Sequence, residues 1–176
     1  QLVNGVLRLD HLLDDVAIGG AIAPNSDGYV VADRRGKRLV GVNAEGLLDA
    51  SFGQEGVVAM SDLVLENDVG LTFGESMVVL NSGSIAVTDG TSDTIIVIKP
   101  DGSLDVDFGN NGVLALTNAD LNGAPLHTTG AGLAKHGNGF ALTDQATGRM
   151  AFLYDTGDTN ISVAAQGIAQ ITGVTG

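Results

Sequence analysis

The chain has 176 residues, of which 21 are acidic and eight are basic, so its formal net charge is −13. This charge argues against nucleic acid as a partner, because phosphates recruit Lys and Arg, and the absence of cysteine excludes disulfides and thiol chemistry. The 26 glycines and the 44% of hydrophobic residues favour a turn-rich β protein with a core, and no apolar run reaches the ~20 residues of a membrane-spanning helix.

An apolar stretch at residues 5–9, which reads Gly-Val-Leu-Arg-Leu, lies near the start of the chain and returns twice further on. Its later copies, at residues 56–60 and 112–116, each follow a phrase of eight residues. This repeat phrase reads Gly-Leu-Leu-Asp-Ala-Ser-Phe-Gly at residues 46–53 and Gly-Ser-Leu-Asp-Val-Asp-Phe-Gly at residues 102–109, 56 positions later. A period in this range is the signature of a repeat architecture.

Further matched stretches extend the repeat to the rest of the chain. Three apolar segments, each followed by a second apolar segment and a turn, end in an aspartate: Asp33, Asp89 and Asp144. We therefore treat residues 1–176 as a single repeat domain with units at approximately 5–55, 56–111 and 112–176. The third unit is atypical because it lacks the repeat phrase, which is typical of a terminal repeat, a junction or a contact with another chain.

The apolar runs within each unit have the length and composition of β-strands. They span four to six residues, are rich in Val, Ile and Leu, and are bounded by Gly, Asn, Asp and Ser. Each unit offers about four such strands, which is the content of one propeller blade. The sequence therefore predicts an all-β fold of three propeller-blade-like repeats, each of about 50–60 residues.

Three blades do not close a ring, because propellers typically have roughly four to eight. Three arrangements remain open: the chain is part of a longer propeller, two copies assemble six blades, or copies join head to tail into a filament. In each of them, exposed blade faces and strand edges invite pairing with further chain. We expect the assembly contacts near the two ends of the chain, at Gly5, Val6, Leu7, Leu9, Ile168 and Ile171.

The repeat phrase and its surroundings resemble the delta-60 repeat. The resemblance rests on the pattern Leu-Asp-x-x-Phe-Gly-x-x-Gly at residues 104–112 and 48–56, with Pro100, Asp101 and Gly102 preceding the later copy. It covers the first two units and is weak in the third. The resemblance implies a secreted or surface-exposed bacterial protein with β-propeller-like blades and a scaffold or binding role, and it supplies no catalytic residues.

Acidic residues in and near the repeat phrase are candidate metal ligands. Asp101, Asp105 and Asp107 place three carboxylates within seven residues, and Ca²⁺ binds about six to eight oxygen ligands. The competing interpretation is structural, because aspartate commonly accepts hydrogen bonds from turn N–H groups. We expect no other cofactor. The recurring aspartates Asp33, Asp89 and Asp144 have two similar interpretations, as turn caps or as a ring of carboxylates at one mouth of a propeller.

No acid, base and nucleophile set stands out, so we do not expect an enzyme. The leading hypothesis is an extracellular structural module that self-associates, through exposed blades or terminal strands, into an oligomer or a filament. The alternative is an adhesion module of a larger bacterial surface protein that binds calcium, a glycan or a protein. Glycan binding by aromatic stacking is disfavoured, because the chain has no Trp and two Tyr.

Overall fold

The computed structural model describes residues 2–3, 6–7, 9, 12–13, 18–63, 73–89, 91–116, 126–128, 131–156 and 168–170. Within these residues the chain forms β-strands and a single 3-10 turn, Met60–Asp62. The strands make three four-stranded antiparallel sheets and a small two-stranded one. The predicted all-β fold of three blade-like repeats is therefore confirmed, and we call the three larger sheets the first, second and third blades.

The blades follow one another along the chain, and each is a meander in which sequential strands pair. The first blade contains β3 Ile18–Asn25, β4 Gly28–Asp33, β5 Arg38–Asn43 and β6 Val57–Ala59. The second contains β7 Phe73–Val79, β8 Ile85–Asp89, β9 Thr94–Ile98 and β10 Val113–Ala115. The third contains β11 Leu133–His136, β12 Gly139–Asp144, β13 Arg149–Tyr154 and β14 Ile168–Gln170, and the small sheet pairs β1 Leu2–Val3 with β2 Val6–Leu7.

The repeat phrase is the connection between the last two strands of a blade. After β5 the chain makes an isolated bridge from Val42 to Leu48, crosses the phrase, and returns as β6 to pair with β5. After β9 the second copy does the same, with a bridge from Ile98 to Leu104 and a return as β10. The strands β6 and β10 thus lie at the start of the sequence units 56–111 and 112–176. In the structure each of them pairs with the sheet of the preceding unit.

Two apolar cores lie between the three blades. One face of the first blade, which includes Ala23, Val30 and Leu39, packs with one face of the second blade, which includes Ile85 and Ile96. The opposite face of the second blade packs with the third blade through a second cluster, which includes Ala86, Ile95, Val97, Phe140 and Leu153. Because the second blade is covered on both faces, every residue of β9 is buried, as its continuously apolar sequence predicts.

In the described parts of the chain, the structure contains no helix that is long and apolar enough to cross a membrane.

Candidate functional site

The repeat phrase positions one buried phenylalanine in each of the first two blades. Asp49 donates its N–H to the carbonyl of Gly41, 2.9 Å away, and Asp105 makes the same bond to Val97, also at 2.9 Å. These bonds direct Phe52 and Phe108 inward, where both side chains are completely buried. A β-carbon on Gly41 would lie 2.8 Å from Cβ of Phe52. Glycine at this position of the strand therefore leaves room for the Phe52 side chain.

The phrase also joins neighbouring blades through backbone hydrogen bonds. Gly53, at the end of the first phrase, donates its N–H to the carbonyl of Asp101 in the second blade, 2.8 Å away. Gly109, at the end of the second phrase, donates to the carbonyl of Thr156 in the third blade, also at 2.8 Å. The same joint therefore occurs at both blade junctions, although the third blade carries no copy of the phrase.

Close backbone approach explains why the phrase begins with glycine at the first of these junctions. A β-carbon on Gly102 would lie 2.6 Å from both Cα and N of Gly53, closer than a side-chain carbon can approach a backbone. The φ angle of Gly102 is +87°, a region that side chains other than glycine rarely adopt. The sequence identified these glycines as the ends of the repeat phrase, and their role as the contact between blades is visible only in the structure.

A groove with a volume of about 320 Å³ lies beside this junction. It is lined by Gly53, Gln54, Val57, Val58, Asp62, Leu63, Asp101, Gly102, Ser103 and Leu104. Its polar groups include the carboxylates of Asp62 and Asp101 and the hydroxyl of Ser103, which donates a 2.7 Å hydrogen bond to Asp101. Hydrogen bonds from the N–H and the hydroxyl of Ser103 hold the pKa of Asp101 below its usual value, so this carboxylate is a poor general base.

The recurring aspartates cap turns. Asp33 accepts a hydrogen bond from the N–H of Gly36 and another from Nε of Arg38, at 3.0 and 2.8 Å. Asp89 accepts from the N–H groups and hydroxyls of Thr91 and Ser92. Asp144 accepts from the N–H groups of Ala146 and Thr147 and from the Thr147 hydroxyl. The turn-cap interpretation is confirmed.

These capping carboxylates are almost completely buried, with at most 1% of each residue exposed. Burial raises the pKa of Asp144, but the hydrogen bonds from the hydroxyl and N–H of Thr147 outweigh it, and the net pKa lies below its usual value. Hydrogen-bond donors of the turn thus stabilise the ionised carboxylate in its buried position.

The structure does not bring the three candidate calcium ligands together. Among the described residues, no group of three His, Asp or Glu side chains is placed to hold a metal ion. Asp101 is exposed and bonded to Ser103, while Asp105 accepts a 2.8 Å hydrogen bond from the hydroxyl of Ser84. Asp107 is exposed to solvent. Calcium binding to this chain remains a prediction, and no carboxylate cluster in the described part of the structure supports it.

A histidine–carboxylate pair at the second blade is a feature that the sequence analysis missed. Nδ1 of His127 lies 2.9 Å from Asp93, which follows the cap residue Asp89 in the same turn. Thr128 donates its N–H to Asp93, at 2.7 Å, and its hydroxyl to the backbone carbonyl of Asp89. The hydrogen bond to Asp93 raises the pKa of His127. These bonds attach His127 and Thr128, which lie between the second and third blades, to this turn. The two parts of the contact are far apart in the sequence, so no local pattern predicts it.

The predicted assembly residues are partly described. Val6 and Leu7 form β2, which pairs with β1, and Ile168 lies in β14 at the edge of the third blade, paired with Ala151. Leu9 is half-buried and its carbonyl accepts the N–H of Leu12. Gly5 and Ile171 lie outside the described residues. The structure contains a single chain, so the role of these residues in assembly stays a prediction.

Comparison with solved structures supports a propeller-type fold. A streptogramin B lyase structure matches with a TM-score of 0.56 and 14% sequence identity over 92% of this chain and 43% of its own. A glutaminyl cyclase from Myxococcus xanthus matches with a TM-score of 0.49 and 13% identity over 80% of this chain and 49% of its own. The chain therefore spans less than half the length of these two proteins.

The comparisons extend to the fold and no further. No protein-family model and no curated protein sequence matches the chain. The streptogramin B lyase is named as an enzyme, but at 14% identity the likeness concerns backbone architecture alone. Membership of the delta-60 repeat family accordingly stays a prediction from the repeat phrase.

Proposed function

We propose that this chain is an extracellular structural module that self-associates through its exposed blades or terminal strands into an oligomer or a filament. The proposal is supported by the arrangement of the blades. The second blade is covered on both faces, whereas the first blade keeps Ile22 and Tyr29 exposed on its outer face. Large apolar side chains at the end of a stack of blades favour further stacking, because burying them removes apolar area from water.

The extracellular location rests on the resemblance of the repeat phrase to the delta-60 repeat. The bacterial surface proteins that carry this repeat provide the setting for a scaffold role. The net charge of −13 makes copies of the chain repel one another. This repulsion favours solubility and disfavours non-specific pairing of exposed strand edges.

We infer that the module is not an enzyme. The pair formed by His127 and Asp93 has the geometry of a base and its orienting carboxylate, 2.9 Å apart. However, the neighbouring hydroxyl of Thr128 is donated to the backbone carbonyl of Asp89 and is fully buried, so it is unsuited to be a nucleophile. The groove beside Gly102 presents an ionised carboxylate of lowered pKa, which suits neither acid nor base catalysis near neutral pH.

The proposal is tested by native mass as a function of concentration, measured by light scattering coupled to size exclusion. We expect assemblies of two or more chains, and we expect their fraction of the total protein to increase with concentration. A discrete dimer supports a closed set of six blades, and a broad distribution of large species supports a filament. A single chain at every concentration up to the millimolar range contradicts the proposal.

A second candidate is an adhesion module of a larger bacterial surface protein that binds calcium, a glycan or a protein partner. The observation that favours it is the groove of about 320 Å³ with its two carboxylates, Asp62 and Asp101. Melting temperatures measured with added calcium and with EDTA test the calcium version, because a ligand that binds only the folded state raises the melting temperature. A rise with calcium that Asp101→Asn abolishes favours the binding module over the structural one.

A further inference from the structure

One face of the second blade packs on the first blade. The equivalent face of the first blade lies on its outer side. Cross-strand partners in a sheet point to the same face, so the register identifies equivalent positions. In the second blade this face contains the pairs Met77 with Val87 and Val79 with Ile85. In the first blade the same register positions hold the pairs Ile22 with Val31 and Pro24 with Tyr29.

Equivalent positions differ sharply in exposure. Met77 and Ile85, which face the first blade, are 8% and 1% exposed. Their counterparts Ile22 and Tyr29 are 61% and 52% exposed. Val31, Val40 and Val42 at the centre of the same outer face are buried, so the open area is the margin next to the β3–β4 turn.

A further residue continues this open margin. Leu47 follows Gly46 in the first phrase as Ser103 follows Gly102 in the second, and Ser103 lines the groove between the first and second blades. Leu47 is an exposed large hydrophobic residue, like Ile22 and Tyr29. Of the four exposed large hydrophobic residues in the described chain, three therefore lie on the side of the first blade that corresponds to a blade junction. We call Ile22, Tyr29 and Leu47 the leading face.

The third blade carries the opposite kind of face. Phe140, Leu142 and Leu153 point toward the second blade, so their alternate neighbours point outward. The outward residues include Ala134, Ala141 and Phe152, which are cross-strand neighbours, and His136, whose ring makes an edge contact with Phe152 at 5.3 Å. We call Ala134, His136, Ala141, Met150 and Phe152 the trailing face.

The inner junction shows how the two faces fit. Ala134 and Ala141 hold the register positions that Ala23 and Val30 hold in the first blade. Ala23 and Val30 pack in one cluster with Met77 and Ile85, the counterparts of Ile22 and Tyr29. Because Val31, Val40 and Val42 are already buried within the chain, a trailing face placed on a leading face would reproduce the outer margin of a contact that the chain already makes within itself.

We propose that the trailing face of one copy of this chain packs on the leading face of a second copy. This inference rests on the proposed self-association and identifies its interface, its partner and its polarity. The contact is heterologous, since two different surfaces meet, and it closes a ring or continues as a filament according to the rotation between copies. The partner is a second copy, because the same chain supplies both halves of a blade junction.

The turns at the blade ends allow a sharp test by cross-linking. In the inner junction Nδ2 of Asn81, in the β7–β8 turn, lies 3.1 Å from the carbonyl of Gly137 and 3.5 Å from Asn138 in the β11–β12 turn. By the same stacking, the β11–β12 turn of one copy lies beside the β3–β4 turn of the next, which contains Ser26. Because the chain has no cysteine, single-cysteine variants report on these positions alone.

The experiment mixes Ser26→Cys with Asn138→Cys chains of different mass under mild oxidation. We expect the mixed disulfide in large excess over the two self-linked species, and the double variant Asn81→Cys with Asn138→Cys serves as the intramolecular positive control. Because Ser26 and Asn138 are exposed turn residues, the variants are expected to fold. A statistical mixture of the three linked species overturns the inference.

A charge placed on the leading face provides an independent readout. We expect Ile22→Glu and Tyr29→Glu each to weaken association by about tenfold or more, since a buried charge without a partner disrupts an interface. Val106→Glu is the matched control, because Val106 is as exposed as these residues but lies in the phrase of the second blade and belongs to neither face.

The outcomes separate this inference from the proposed function. If wild-type chains associate, but Ile22→Glu and Tyr29→Glu behave like Val106→Glu and no preferred disulfide forms, self-association stands and the leading face is not its site. If wild-type chains are monomeric at every concentration, both fail.

Discussion

The N–H of Gly53 donates a 2.8 Å hydrogen bond to the carbonyl of Asp101, and this bond joins the first blade to the second. Gly102, the residue after the acceptor, packs directly against the backbone of Gly53. The two glycines are the last residue of one phrase and the first residue of the next. At this junction the end of one phrase therefore meets the start of the next, and glycine at both positions allows the close approach.

Gly102→Ala is expected to destabilise the fold by about 2 kcal/mol or more, from the cost of a left-handed φ together with overpacking against Gly53. Gly137→Ala is the matched control, because Gly137 has a φ of +55° but a β-carbon added there would meet nothing within 4 Å. Chemical denaturation of both variants measures the difference. Equal losses would show that the contact between the two phrases contributes nothing beyond backbone strain.

Asp89→Asn is expected to lower the free energy of unfolding by about 2 kcal/mol or more, because an amide accepts through one oxygen and leaves a donor of Thr91 or Ser92 without its partner. Asp107→Asn makes the same chemical change on an exposed residue of the same blade, and we expect it to be nearly neutral. Urea denaturation of both variants tests this. A neutral Asp89→Asn would mean that the turn does not depend on the carboxylate.

Asp155→Asn is expected to raise the melting temperature at pH 7. Burial raises the pKa of Asp155, against the opposing effect of the N–H of Asn81, and its buried Oδ1 has no hydrogen-bond partner in the described structure. A raised pKa means that the folded state binds this proton more tightly than the unfolded chain does, so the ionised form destabilises the fold. The amide avoids that charge at every pH.

The advantage of Asp155→Asn should shrink as the pH falls through the raised pKa of Asp155, because the wild-type carboxyl then becomes neutral as well. Melting curves of both proteins from pH 7 down to about pH 4, near the ordinary pKa of Asp, follow this convergence. A gap that stays constant with pH would assign the stabilisation to packing instead of charge.

His127→Asn is expected to lose a pH-dependent part of the stability. The hydrogen bond to Asp93 raises the pKa of His127, so its stabilisation is complete below the unfolded-state value, about 6.5, and is lost as the pH rises through the folded-state value. The difference in melting temperature between wild type and variant should therefore be larger at pH 6 than at pH 9, although small in both cases because solvent reaches the half-buried pair and screens it.

The coupling between the two side chains can be isolated with Asp93→Asn and the double variant. Because Asp93 also accepts the N–H of Thr128, its single substitution is expected to cost more than that of His127. The cycle should show a coupling term that is larger at pH 6 than at pH 9, because the charge on His127 strengthens its bond to Asp93. Strict additivity at both values would contradict the ion pair.

The fold was largely accessible from the sequence, and the site was not. Short aliphatic runs and turn residues predict three sheets. The recurrence of Asp33, Asp89 and Asp144 at strand ends predicts either turn caps or a ring of carboxylates, and the structure shows turn caps. The closeness of Asp101, Asp105 and Asp107 in sequence predicts a metal site, but in the structure Asp101 bonds to Ser103, Asp105 bonds to Ser84, and Asp107 is exposed to solvent. Their spacing along the chain contains no information on where the carboxylates point.

The sequence by itself determined the strands, the turns and the period of the repeat, because these depend on local backbone preferences and on alternation within a strand. Alternation along the paired strands β3 and β4 also places Ile22 and Tyr29 on one face of the sheet and Ala23 and Val30 on the other. It does not determine which face packs on a neighbouring blade. Only the tertiary structure decided that Ala23 and Val30 are buried against the second blade while Ile22 and Tyr29 remain open. The physical reason is that burial depends on which blade stacks on which face, a relationship between residues far apart in the chain.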